Sequence, residues 1–393
     1  MDSAPNPTQV RERSLDGLRG VAALAVVFTH VMLTSPVIAN ASSGAHRPPA
    51  SSWTWWVTYT PLHTFWVGSE AVYIFFILSG FVLTGPALRP RFHWLAYYRK
   101  RLVRLYLPVW GSLGVAALAV ALFPRDVSSA FSSWTNGHVA VSLASILKEA
   151  ALLIPVQDHL NGPLWSLTWE VWFSLLLPLY ILVAQWSTHA RWRVLALVPA
   201  LFVVMAASVV TTGALRFLPM FALGVIMYVH QDRLRAIGRH LDRSRLAWPA
   251  VALACVLLLT STWWLQADSR MPSAVVSASR LAEVAGASGV VFVALCWESA
   301  KRALTTGALQ WLGSRSFSLY LTHDPIVSTV AVVLGRSASP ALVLAISLPL
   351  ALTLTEIFFR VVERPSHKLA MFVGRTPRRR HAASDAARVP GLP

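Results

Sequence analysis

Ten stretches of mainly apolar residues, each close to the roughly 20 residues an α-helix needs to cross a hydrocarbon core, dominate this chain of 393 residues. They lie near 17–38, 66–88, 103–123, 164–184, 194–212, 217–231, 247–265, 281–298, 312–335 and 341–362. A soluble domain has no interior large enough for so much apolar surface, so the pattern predicts an all-α polytopic membrane protein with about ten transmembrane helices. Lys and Arg outnumber Asp and Glu by 34 to 17. In a soluble protein that excess points to nucleic acid, but here the bases fall in short loops between apolar runs, and no nucleic-acid partner is expected. With an even number of spans, 27 of the 34 bases lie on the side that holds both termini. The positive-inside rule then makes both termini cytoplasmic and the chain a multi-pass protein of the cell membrane.

The remaining segments fit around that plan. Residues 140–156 are apolar but interrupted by Lys148, Glu149 and Pro155, and read as an interfacial or re-entrant piece. Trp53, Trp55, Trp56, Tyr59 and Trp66 crowd the entry to the second run, as an interfacial aromatic belt does. Arg11 and Arg13 before the first run, with Ala39-Asn40-Ala41 after it, resemble a secretory signal. The length of that run and its Arg19 and His30 favour a retained span instead. The expected organisation is a cytoplasmic segment over 1–13, a transmembrane domain over 14–366, and a basic, disordered cytoplasmic tail over 367–393. Cys255 and Cys296 both sit in apolar runs, so no disulfide framework is expected. The chain has no glycine-rich phosphate loop, Gly-x-Ser-x-Gly elbow or His-Glu-x-x-His, and no metal is expected.

Ionisable groups inside spans mark function by default because the bilayer makes them costly. Arg19 and His30 occupy the first run, Glu70 the second, Glu170 the fourth, His323 and Asp324 the ninth, and Glu356 the tenth. Eleven residues turn a helix through three turns plus about 20° and raise it by roughly 16 Å. Arg19 and His30 therefore share one face, and an anionic group held at Arg19 can send a reactive end inward to the histidine. An arginine snorkelling to lipid phosphate and a histidine bonded to a neighbouring helix is the plainer alternative. Ser166, Glu170 and Ser174 run at i, i+4 and i+8, and so do Ser316, Tyr320 and Asp324, each making a polar stripe. Pro325 after the second stripe either breaks its helix to line a cavity or makes a kink whose freed carbonyl Ser or Thr satisfies. Glu70 has less context, and structural pairing suits it as well as chemistry does. In Tyr97 through Pro108, Arg101 and Arg104 lie near one face and Tyr106 offers a ring, a combination suited to phosphates and a stacked base or to ordinary topology-setting charge.

These residues, taken together, resemble the acyltransferase-3 family of integral membrane O-acyltransferases, which decorate surface saccharides, peptidoglycan, lipid-linked sugars and some secondary metabolites. The likeness covers about residues 14–366 and rests on six motifs in order. Leu15-Asp16-Gly17-Leu18-Arg19 followed by His30 is similar to the family's Arg-x10-His signature, and Phe75-Phe76-Ile77-Leu78-Ser79-Gly80-Phe81 to its second-span motif. Arg101-x-x-Arg104 with Pro108, Trp165-Ser166-Leu167 with Glu170 and Phe173, Ser318-Leu319-Tyr320-Leu321-x-His323-x-Pro325, and Glu363-Arg364-Pro365 complete the set. Two departures stand out: a single Glu170 with Ser174 where many members carry a second acid and a tyrosine, and Asp324 at a position the family leaves variable.

The resemblance implies transfer of an acyl group, with acetyl expected, from cytoplasmic acyl-CoA to a hydroxyl of a saccharide, cell-envelope glycan or glycosylated metabolite. Arg19, Arg101, Arg104 and Tyr106 would hold the CoA end. His30 would be a general base or an acylated relay, with Glu170 or His323 orienting it. Ser166, Tyr320, Asp324 and Glu70 would support the substrate. A transporter or flippase for a lipid-linked saccharide needs the same kinds of intramembrane residue and is the rival class, and a catalytically silent scaffold is a third.

Overall fold

Apolar runs at membrane depth leave the backbone no hydrogen-bonding partner but itself, and helices follow. The computed structural model describes residues 12–125, 131–138, 142–155, 159–207 and 213–374, which form helices and no strand. Ten helices of 13 or more residues stand where the apolar runs fall. They are α1 Arg13–Leu33, α2 Gly68–Ala87, α3 Trp94–Leu122, α4 Leu164–Thr188 and α5 Arg191–Ala207, then α6 Gly213–Val229, α7 Ala247–Leu259, α8 Ser273–Cys296, α9 Ser316–Leu334 and α10 Pro340–Phe358. Seven are long and apolar enough to cross a membrane. An eighth candidate joins α6 to the helix Gln231–Leu241, which leaves it at 74°, and α5 and α7 are shorter apolar helices.

Local chemistry moves several predicted boundaries. α1 stops at Leu33, short of 38, because Ser35 precedes Pro36 and is pushed to extended backbone (ψ 122°) before Pro36 opens the helix Pro36–Ser42. The predicted ninth run divides at Arg315 into the helix Gly307–Ser314 and α9. The basic stretch from Tyr97 to Pro108 lies within α3, which begins at Trp94, ahead of the predicted 103. Within 140–156 a helix of nine residues, Leu143–Ala151, ends at Leu152 in left-handed backbone, and at about 1.5 Å per residue it cannot span. The expected disordered tail is helical at its start, because a π-helical turn Phe359–Glu363 carries α10 into the helix Arg364–Val373. Residues 375–393 of that tail lie outside the described residues.

Pro325 does not break its helix. α9 runs through it from Ser316 to Leu334, and the Leu321 carbonyl that the proline cannot serve accepts 2.9 Å from Nδ2 of Asn161. The freed carbonyl is thus satisfied by a buried asparagine, in place of the expected Ser or Thr. Pro178 in α4 is handled alike, since the Ser174 carbonyl accepts from the Tyr97 hydroxyl at 3.3 Å.

Two glycine contacts set the packing. A Cβ on Gly224 of α6 would lie 1.9 Å from the Ile77 carbonyl oxygen of α2, and one on Gly80 would lie 2.1 Å from that of Phe221. The two backbones touch, and Phe173 of α4 stacks on Phe221 beside them at 4.4 Å between ring centroids. Small residues allow this close approach where helices lack a hydrophobic drive to associate. On the other side of the bundle Gly313 meets the Asp16 carbonyl oxygen, 2.1 Å from where its Cβ would be. That contact seats α1 against the segment leading into α9 and brings His30 to His323.

Candidate active site

The arginines predicted on α1 and α3 meet at one end of the bundle. Arg19, Arg101 and Arg104 line an open cleft enclosing about 630 Å³ together with Glu170, Glu363 and His367. Arg101 is taken up by Glu170 in an ion pair and donates from Nε to Ser174 Oγ at 3.1 Å. Ser79 on α2 reaches the same carboxylate at 3.2 Å. Glu363 is buried by a different device, accepting from the backbone N–H and the hydroxyl of Ser318 at 3.1 and 2.5 Å. Arg19 and Arg104 make no hydrogen bond among the described residues, which leaves two guanidinium groups with forked donors facing the cleft.

From that cleft the space continues inward. A second cavity of about 420 Å³ shares Arg19, Glu170, Ser316 and Phe317 with the first and is walled further in by Phe75, Phe76, Ser166 and Tyr320. The Ser166 and Tyr320 hydroxyls lie 2.7 Å apart, so the two polar stripes predicted on α4 and α9 face each other. Behind Tyr320, its ring centroid 6.0 Å away, is His323.

His323 and Asp324 meet His30. The Nδ1 atom of His323 faces the Leu319 carbonyl at 2.9 Å and must carry the proton, so its Nε2 is an acceptor. That Nε2 lies 3.0 Å from His30 Nδ1, and Asp324 Oδ1 lies 3.1 Å from the same atom. His30 Nδ1 is therefore the donor to His323 Nε2, with the Asp324 carboxylate beside it at ion-pair distance. This tautomer leaves His30 Nε2 with its lone pair and no protein partner among the described residues. An imidazole whose one nitrogen is held by a second ring beside a carboxylate, and whose other nitrogen is free, can take a proton from a hydroxyl or attack an acyl carbon. Asp324 is fully buried, and its Oδ2 accepts from Nε2 of His138 at 2.9 Å and from the Gly162 N–H at 3.0 Å.

Three sequence expectations need correction. Glu170 orients neither histidine, because the arginine one helix away is a stronger partner for its carboxylate than a neutral ring. Tyr106 does not join the arginine cleft. Two residues beyond Arg104 it points about 200° round the helix, and its hydroxyl donates 2.7 Å to the Ala151 carbonyl. Glu70 accepts from Trp263 Nε1 at 2.7 Å and from no member of the histidine cluster. Conversely, His138 and Gly162 sit in the cluster, and Asn161 next to Gly162 holds the Leu321 carbonyl, without having been singled out. They lie on short connecting segments with no helical period to reveal them. Glu363 stood in a recognised motif, but only its burial beside the arginine cleft marks it as a site residue.

The fold and site define a polytopic helical membrane protein with a cationic cleft, an adjoining cavity that shares four residues with it, and a histidine cluster behind that cavity's Tyr320. The chain belongs to the acyltransferase-3 family, whose acyltransferase-domain model matches residues 12–360. It is 30% identical over 189 residues to the acyltransferase MdmB of Streptomyces mycarofaciens, a match covering 47% of this chain and 43% of that protein. The aligned part thus spans under half the length of that relative. No solved structure matches the chain.

Proposed function

We propose that this membrane acyltransferase moves an acyl group, acetyl foremost, from cytoplasmic acyl-CoA to a hydroxyl of a saccharide, envelope glycan or glycosylated metabolite. Arg19 and Arg104 take the phosphates of CoA, and Arg101 joins them by exchanging Glu170 for phosphate. The pantetheine and thioester enter the inner cavity that Phe75 and Tyr320 wall. At the inner end His30 Nε2 accepts the proton of the acceptor hydroxyl as its oxygen attacks the thioester carbonyl. The C–O bond forms, the C–S bond breaks, and the proton leaves with the CoA thiol. Asp324 holds the ring in the required tautomer and balances the imidazolium formed on the way.

The observation that carries this reading is continuity. Four residues are shared between the arginine cleft and the inner cavity, and Tyr320 in that cavity is ring to ring with His323. The test is release of CoA thiol from acyl-CoA by the purified full chain in detergent, with and without a panel of glycosides. Product with an ester on the glycoside is the expected result. A protein that binds CoA yet never breaks the thioester would refute it and return the transporter to first place.

A further inference from the structure

The buried Asp324 has to be an anion to hold His30, and the cluster must contain the charge that keeps it so. His30 and His323 do not supply it in the resting tautomers above, since each uses one nitrogen as donor and keeps the other as a base. His138 is different. Its Nδ1 faces the Trp134 carbonyl at 2.8 Å and its Nε2 faces Asp324 Oδ2 at 2.9 Å, so both nitrogens meet acceptors and only the doubly protonated ring satisfies both. The ring is 4% exposed.

We infer that His138 is a positioning residue of the transfer reaction, a resident imidazolium that keeps Asp324 ionised and aimed at His30. This rests on the acyl-transfer reading given above. The placement is fixed from three directions. Arg125 donates to the His138 carbonyl at 3.2 Å and to the Ser328 and Thr329 hydroxyls at 3.0 and 3.2 Å, which ties the segment 131–138 to α9. Trp134 on that segment lies 5.0 Å from the His30 ring and 4.7 Å from that of His138. Gly162 approaches so closely that a Cβ there would stand 3.2 Å from Asp324 Oδ1 and 3.4 Å from His138 Nε2. The charged and titratable groups around Asp324 are then His30 from α1, His323 beside it on α9, and His138 and Arg125 from the connection after α3. Burial works against charging His138, and the Asp324 carboxylate with its hydrogen bond outweighs that, so the ring sits above its ordinary range.

If His138 acts through Asp324, His138→Ala should lower kcat by about 10- to 100-fold, the size of loss seen when a partner orienting a functional imidazole is removed, with KM for acyl-CoA unchanged. His138→Gln, which keeps a donor toward Oδ2, should recover part of that loss. In an Asp324→Asn background His138→Ala should cost nothing further, because residues that work as a unit are not additive. A structural role predicts the reverse, an equal extra loss in the Asn background and a raised KM, and that outcome overturns the inference. A second measurement does not depend on activity. Full-length protein labelled with ¹⁵N-histidine, in detergent at about pH 8 and so above the ordinary imidazole range near 6.5, should show one imidazolium that disappears in His138→Gln. No such signal overturns the inference whatever the reaction is. The signal present in a protein that transfers no acyl group leaves the pairing standing and removes the acyl-transfer reading instead.

Discussion

At the scale of single residues, His30 is the position on which most depends. Replacement by Ala should abolish transfer while CoA binding persists, since the phosphate cleft and the imidazole are roughly 16 Å apart along α1. A general base contributes about 10²- to 10⁴-fold, so a loss below tenfold in a folded protein contradicts the assignment. His30→Gln keeps a hydrogen-bonding shape without a basic nitrogen and should be as inactive as Ala. Arg104→Ala should weaken acyl-CoA binding by roughly ten- to a hundredfold, the worth of a charge-assisted phosphate contact, as read by titration calorimetry. Tyr106→Phe should leave that affinity unaltered, because its hydroxyl is spent on Ala151. Most intramembrane ionisable groups were legible because the bilayer makes them conspicuous, though Glu283 in α8 was passed over, and the stripes on α4 and α9 were legible because helical spacing is regular. Who pairs with whom was not. Glu170 could have faced a histidine or an arginine by spacing alone, and the contact of His138 with Asp324 joins residues 186 apart in sequence.

At the scale of elements, the position of each helix was readable from its apolar run, while its ends answered to Pro36 and Arg315, whose effects a hydropathy window averages away. The α2–α6 contact offers the sharpest test of packing. Gly224→Val has no room against the Ile77 carbonyl and should destabilise the protein by at least about 1–3 kcal/mol, the usual cost of overpacking, seen as a fall in Tm in detergent. Gly114 of α3, whose Cβ would meet nothing within 4 Å, is the control. There Ala should be neutral or stabilising by roughly 0.5–1 kcal/mol. Asn161→Ala leaves the Leu321 carbonyl without its donor and should cost about 1–3 kcal/mol, with α9 the helix that loosens.

For the whole molecule, the split of basic residues predicts that tags at 393 and within 235–243 face the cytoplasm and one at 42–50 faces out. A cysteine introduced at 238 that reacts with an impermeant reagent on intact cells would contradict the topology. The cluster around Asp324 also bears on how such a chain can be shuffled. Its members, His30, His138, Gly162 and Asp324, come from four stretches spread over most of the sequence. A hybrid of two relatives joined anywhere between 30 and 324 mixes parents inside one hydrogen-bonded unit, and it works only where both parents agree on every partner. A junction after Gly335, in the turn between α9 and α10, keeps the unit from one parent. Hybrids with a single junction should therefore tolerate exchange of the chain from α10 onward far better than a junction anywhere between 30 and 324, and the Asp324 cluster should be inherited whole.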